Sequence, residues 1–212
     1  MNMKISLMDK IKYPLGILAA AGTLTIGAPA RTNSTIPQPK ITQNIYDTFE
    51  LSSTGRTTDS ILLRNAPSPE IKIKGEKKVA TLVVDIKNNL LYRYNQIGQA
   101  IEAFKMACGK PQTPTPTGIS VITRIQEYPY LTSPAWTKRR KNPKDYGPKL
   151  VELFVVNPQT GEKYDNGVYI HGTRNPNAIG KKWTHGCVRV HNKDILYLAP
   201  LVKPGQYVRF IK

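Results

Sequence analysis

From Lys78 to Lys212 the chain is a succession of short apolar segments separated by turn residues, and this spacing constrains the fold more than any other feature. β-branched and aromatic residues fill VATLVVDI, LLYRYN, ISVITRI, LVELFVV and QYVRFI, while Gly, Pro and Asn punctuate the intervals. Branched and ring side chains pack well on a pleated, half-buried surface, and Gly, Pro and Asn supply the conformations at which strands stop. AFKMAC, VYIHG and CVRV read as shorter strands of the same kind. Lys87-Asn88-Asn89, between the first two runs, predicts a hairpin. One helix is predicted near residue 192, with Asn192 as its cap and Asp194 in its first turn. Ile195, Leu196 and Leu198 give it an apolar face, and Pro200 limits its length. Many short strands with one or two short helices imply a mainly β domain: a curved mixed sheet, a sandwich or an open barrel over residues 78–212.

Upstream the composition changes. Residues 31–77 are rich in Ser, Thr, Pro, Asn and Gln, with only short apolar pieces, and are expected to be a polar, flexible spacer. Residues 1–30 carry Lys4, Lys10 and Lys12, an apolar run over 14–28, and then Ala28-Pro29-Ala30. The run is shorter than the ~20 apolar residues a membrane span needs. Its charged, apolar and small-x-small order is that of a signal peptide, with an uncleaved anchor, and hence a membrane tether, as the next alternative and a buried helix as the last. The first two readings imply export. Residues 127–149 hold Trp136 and three Tyr among Lys and Arg without periodicity, which predicts a surface loop or a lid.

A formal charge of +17 is read first as a solvated basic surface, and beyond that it points to an anionic neighbourhood such as nucleic acid, an acidic membrane surface or an acidic wall polymer. No C-x-x-C finger, aromatic ribonucleoprotein box or recognition helix accompanies the charge, so nucleic acid is not the expected partner. Two cysteines, Cys108 and Cys187, are too few for a disulfide framework, although an exported chain allows them to pair with each other.

All three histidines, His171, His185 and His191, fall within one stretch of 21 residues, HGTRNPNAIGKKWTHGCVRVH, with Cys187 among them. Three readings of this cluster stand side by side. In the first, Cys187 is a nucleophile. A thiol with its ordinary pKa of ~8.5 needs a base or a positive surrounding to form thiolate, and His171 and His185 both qualify. Gly186 lets the backbone turn sharply and offer N–H groups to a developing oxyanion. If the segment is extended, His185 and Cys187 share one face, because side chains two apart on a strand do. In the second, the three histidines and Cys187 hold zinc, although H-x-C-x3-H lacks the paired close ligands of a zinc knuckle. In the third, all four are core residues, which fits poorly with the surrounding Gly, Arg and Lys.

His171-Gly172-Thr173, Ile179-Gly180 and Thr184-His185-Gly186-Cys187-Val188-Arg189 resemble the signature of the L,D-transpeptidase catalytic domain. Pro116-Thr117-Gly118, after Cys108-Gly109-Lys110, and Asp145-Tyr146-Gly147-Pro148 resemble further segments of that family, and the likeness extends over about residues 78–212. The resemblance implies peptidoglycan stem peptides as substrate, no cofactor and no metal, and no stable protein partner. It implies Cys187 as nucleophile, His171 as general base and the Gly172 carbonyl as the group orienting His171. His185 and the N–H groups of Gly186 and Cys187 are then expected on the oxyanion side. Arg189, Thr184 and Tyr169 are expected to contact substrate. His191 lies outside the motif and is read as a surface or supporting residue.

Overall fold

The computed structural model describes Phe49, residues 51–130 and residues 143–212. The expected signal segment 1–30, most of residues 31–50 and the part of the predicted lid containing Trp136 lie outside the described residues. In chain order the elements are β1 (Arg56–Thr57), α1 (Ser60–Arg64), β2 (Glu70–Ile73), β3 (Glu76–Val79), β4 (Leu82–Asp85), β5 (Leu90–Tyr94), β6 (Ala100–Lys105) and β7 (Cys108–Gly109). They continue with β8 (Gly118–Glu127), β9 (Lys149–Val156), β10 (Lys163–His171), β11 (Lys182–Thr184), β12 (Val188–Arg189), α2 (Asn192–Leu198) and β13 (Tyr207–Ile211).

Nine strands make one mixed sheet in the order β1-β6-β5-β4-β13-β8-β9-β10-β12. Neighbours run antiparallel except at β4–β13 and β10–β12, which are parallel. Parallel neighbours cannot be joined by a tight turn, so the chain must leave the sheet between them. Between β10 and β12 that excursion is residues 172–187, and it carries most of the motif. The fold is thus the mainly β, mixed-sheet class that the strand pattern predicts. The Lys87-Asn88-Asn89 hairpin joins β4 to β5, with Val84 opposite Leu91.

Strand β4 is apolar at Leu82, Val83 and Val84, and its last residue, Asp85, is a buried carboxylate that accepts from the Asn88 N–H at 3.0 Å. All four residues of β4 are buried. Leu82 and Val84 enter the main core with Phe104, Ile122, Leu153, Ile170 and Val188. Val83 points to the other face, beside Tyr92 and Ala103. A strand covered on both sides has no solvent face on which to place polar residues. Ile195 and Leu198 of α2 close the main core. Each such side chain, fully buried, contributes about 1.5–3 kcal/mol.

The region expected to be spacer departs from that expectation from residue 51 onward. β1 pairs with β6, Leu62 and Leu63 of α1 pack on the second face, and β2 alternates exposed Glu70 and Lys72 with buried Ile71 and Ile73. The apolar pieces here are too short to form a core, but they suffice to cover one already supplied by the sheet. Averaged composition conceals this.

Two buried carboxylates fasten the same stretch. Glu102, 1% exposed, meets Arg56 at 2.6 Å and also pairs with Arg93. Asp194, also 1% exposed, accepts from the Thr54 hydroxyl and from the Gly55 N–H at 2.7 Å. A carboxylate taken out of water is tolerated only when hydrogen bonds or opposite charge replace its hydration. The Arg56 guanidinium also lies 4.1 Å over the Tyr197 ring of α2.

One helix boundary also moves. The cap position of α2 belongs to His191, whose side chain makes no capping bond, and Asn192 is the first helical residue. The Asn192 amide is used elsewhere.

Candidate active site

The parallel pair β10–β12 sets Ile170 beside Val188 and His171 beside Arg189. Strand side chains alternate between faces. Ile170 and Val188 both enter the main core. Tyr169, His171 and Arg189 therefore share the opposite face. Even there His171 is fully buried. The Tyr146 ring lies 4.8 Å from its imidazole, carried by the tight turn Pro143–Tyr146. Tyr146 is one link in a chain of edge-on rings, 6.3 Å from Tyr130 and 6.0 Å from Tyr169. Burial pushes the Tyr130 and Tyr169 phenols well above their ordinary pKa, so both stay neutral.

His171 Nδ1 lies 2.6 Å from the Gly172 carbonyl oxygen. A carbonyl can only accept, so Nδ1 carries the proton and the lone pair of the neutral ring is at Nε2. The tautomer is therefore set by the backbone, and Nε2 is the nitrogen able to take up a proton.

Cys187 sits where the chain changes sheets. β11 pairs with β7 in a small two-stranded sheet, and β12 pairs with β10 in the large one. Gly186 makes the change with φ +117°, a conformation that disfavours any side chain. Two threonine hydroxyls hold the turn. Thr184 Oγ1 accepts from the Gly186 N–H at 3.1 Å and donates to the Cys187 carbonyl at 2.6 Å. Thr115 Oγ1 accepts from the Gly109 N–H and donates to the Gly186 carbonyl, both at 2.8 Å. Cys187 is 5% exposed, with Sγ 3.6 Å from the Gly167 carbonyl at an irregularity in β10. Cys108 is also a free thiol and fully buried, and desolvation pushes its pKa up.

Several expectations are corrected here. The 185–187 segment is not extended, so His185 and Cys187 do not share a strand face: His185 is exposed and Cys187 buried. Thr184, expected at the substrate, is fully buried, and its hydroxyl is committed to the turn. The Gly186 N–H, expected on the oxyanion side, donates to Thr184 instead. Tyr169 and Arg189 are partly exposed, and the Arg189 backbone exchanges two hydrogen bonds with Ala107, at 2.8 and 2.9 Å. His191 is partly buried. Among the described residues no group of three or more His, Cys, Asp or Glu side chains is placed to share a metal ion.

Two residues that shape the site are not apparent from the motif. Thr115 lies just before Pro116-Thr117-Gly118 and looks like one more turn residue. Asn192 looks like a helix cap, but its Oδ1 accepts from the Thr173 N–H at 2.8 Å and its Nδ2 donates to the Thr173 carbonyl at 2.9 Å.

Comparison with known proteins places the chain. Residues 80–209 match the family model of the L,D-transpeptidase catalytic domain, YkuD. The chain belongs to this family. The YkuD protein of Bacillus licheniformis, named for L,D-transpeptidase activity, is 31% identical over 128 residues, 60% of this chain and 62% of the relative. The ErfK/SrfK protein of Escherichia coli, named for the same activity, is 29% identical over 140 residues, 61% of this chain and 43% of the relative. The chain thus spans less than two thirds of either relative. Among solved structures, an L,D-transpeptidase from Mycobacterium smegmatis superposes with a TM-score of 0.46 at 18% identity, covering 69% of both chains. L,D-transpeptidase 3 from Mycobacterium tuberculosis, solved with a faropenem-derived adduct, gives 0.44 at 17% identity and the same coverage.

Proposed function

We propose that this chain is an exported peptidoglycan L,D-transpeptidase that uses Cys187 as its nucleophile and His171 as its general base. The observation that carries the assignment is the 2.6 Å bond from His171 Nδ1 to the Gly172 carbonyl, which directs the lone pair of the buried imidazole to Nε2. The strand bearing this ring is paired with the one that begins just after Cys187.

His171 Nε2 takes the thiol proton as sulfur attacks the carbonyl of the third residue, the L-centre of a diamino acid, in a tetrapeptide stem. A carbon–sulfur bond forms and the peptide carbon–nitrogen bond to the terminal D-Ala breaks. The leaving amine receives the proton from His171. An amine acceptor then loses a proton to the same nitrogen, attacks the thioester and expels the thiolate. The Cys187 N–H and His185 are assigned to the oxyanion side, and Arg189 and Tyr169 to the stem peptide. The formal net charge of +17 suits an anionic wall.

Incubation with purified muropeptides, followed by mass spectrometry, tests the assignment. Crosslinked or exchanged stems with stoichiometric D-Ala release are expected, and none from Cys187→Ala. D-Ala loss alone would change the acceptor to water. Stems left unaltered by the wild-type protein would overturn the assignment.

A further inference from the structure

The Gly172 carbonyl and the Thr173 N–H are two ends of one peptide unit. Resonance keeps that unit flat, so the two groups point in opposite directions and turn together. The carbonyl end meets His171 Nδ1 at 2.6 Å, and the N–H end donates to Asn192 Oδ1 at 2.8 Å. The same amide donates through Nδ2 to the Thr173 carbonyl at 2.9 Å, fixing the following peptide unit as well.

Packing shows how tightly this arrangement is built. Asn192 is 2% exposed. A Cβ on Gly172 would lie 2.3 Å from Asn192 Oδ1, and one on Gly147 would lie 2.5 Å from it. Two glycines therefore leave open the space that the amide fills. Asn192 begins the helix whose Ile195 and Leu198 are buried in the main core, so the amide is anchored through the body of the domain.

We propose that Asn192 is the positioning residue for His171: by holding both backbone groups of Thr173, it fixes the Gly172 carbonyl that sets the tautomer and direction of the imidazole. The proposal rests on the reading of His171 as the base for Cys187. Asn192 touches neither the thiol nor substrate in this role; it acts through one peptide plane.

The test is the pH profile of Cys187 alkylation by iodoacetamide in the full chain, mapped to its peptide so that Cys108 is not counted. The variants are His171→Ala, Asn192→Leu, Asn192→Asp and Leu196→Ala. Asn192→Leu keeps the shape and removes both hydrogen bonds. Asn192→Asp keeps the acceptor for the Thr173 N–H. Leu196, 2% exposed on the same helix, is the control for stability alone. His171→Ala is expected to move the midpoint up. Asn192→Leu should move it the same way and slow the reaction at neutral pH by about tenfold or more, since ~1 Å of misplacement can cost ~10²-fold. Nitrogen NMR shifts of the labelled imidazole should show the Nδ1–H tautomer of His171 giving way to a mixture. Asn192→Asp should stay near the wild-type midpoint, and Leu196→Ala should lower the melting temperature without moving the profile.

The proposal is overturned if Asn192→Leu keeps the wild-type midpoint and tautomer while His171→Ala shifts the midpoint. It is equally overturned if Asn192→Asp and Leu196→Ala shift as far as Asn192→Leu, which would make the effect one of helix stability. An unmoved profile in His171→Ala is a different failure: it removes the base assignment itself.

Discussion

The two halves of the candidate site are held in different ways. His171 closes a nine-residue strand of the large sheet, is fully buried, and is bounded by a ring, a backbone carbonyl and a peptide plane clamped from a core helix. Cys187 lies in a short gap between two sheets and owes its place to hydroxyl bonds from Thr184 and Thr115. The histidine side is rigid because it is built into the core. The cysteine side is rigid only as far as a few local hydrogen bonds make it so, each contributing a net ~0.5–1.5 kcal/mol. Damage near His171 should therefore spread into the fold, whereas damage near Cys187 should stay local.

The largest expected effect is common to both halves. Cys187→Ala should abolish acyl transfer, and His171→Ala should reduce it by ~10²–10⁴-fold, the usual contribution of a general base. Single-turnover acylation by a tetrapeptide stem measures both.

Next comes Gly172→Ala, where the added methyl would have to displace Asn192 Oδ1 from 2.3 Å. Overpacking of this kind costs about 1–3 kcal/mol, so urea unfolding should show that loss together with a fall in rate of ~10²-fold. A variant that is both less stable and slower would sharpen the contrast; one that is slow but as stable as wild type would break it, because the damage would then be local.

On the cysteine side, Thr184→Val keeps the shape and orphans the Gly186 N–H and the Cys187 carbonyl. Unsatisfied buried groups cost about 1–3 kcal/mol, with an expected rate loss of roughly tenfold and a melting curve that remains cooperative. A rate loss as large as that of His171→Ala would mean the hydroxyl acts in the chemistry.

The smallest effect belongs to Cys108. Its fully buried thiol has a pKa raised by desolvation, so less of it is thiolate at any pH. Alkylation of native protein should spare it until denaturant is added. Cys108→Ala should leave acyl transfer within about twofold, as expected for a site off the reaction path.

The strands were legible because each apolar run ends at residues that strands avoid, and the hairpin at Lys87-Asn88-Asn89 is a local event. β1, α1 and β2 were hidden because their alternating or very short apolar pieces gain meaning only against a sheet made elsewhere in the chain. At the site, Cys187 stood out because all three histidines fall within 21 residues around it, while only the resemblance to the L,D-transpeptidase signature singled out His171 over His185. The assumption of an extended 185–187 segment failed at Gly186, whose φ of +117° turns the chain between two sheets. Asn192 was hidden by a local rule. An Asn before an apolar run suits a cap, and nothing nearby in sequence indicates a partner 19 residues upstream.

The fastening of residues 54–56 bears on where the folded unit begins. The family match starts at residue 80, yet Glu102 shares its carboxylate between Arg93 and Arg56, and Asp194 accepts from Thr54 and Gly55. A chain trimmed to the matched segment would strip one guanidinium from a buried anion, leave another without its donors, and bare the edge of β6. Glu102 would keep Arg93, and the Arg56 side chain is 38% exposed, so the loss there falls short of the ~3–5 kcal/mol of an uncompensated buried charge. Asp194 would lose two of its donors outright. The uncovered edge would also invite strands from other molecules. The limits of this fold follow the buried charges that must be neutralised, and those lead back past the start of the family match.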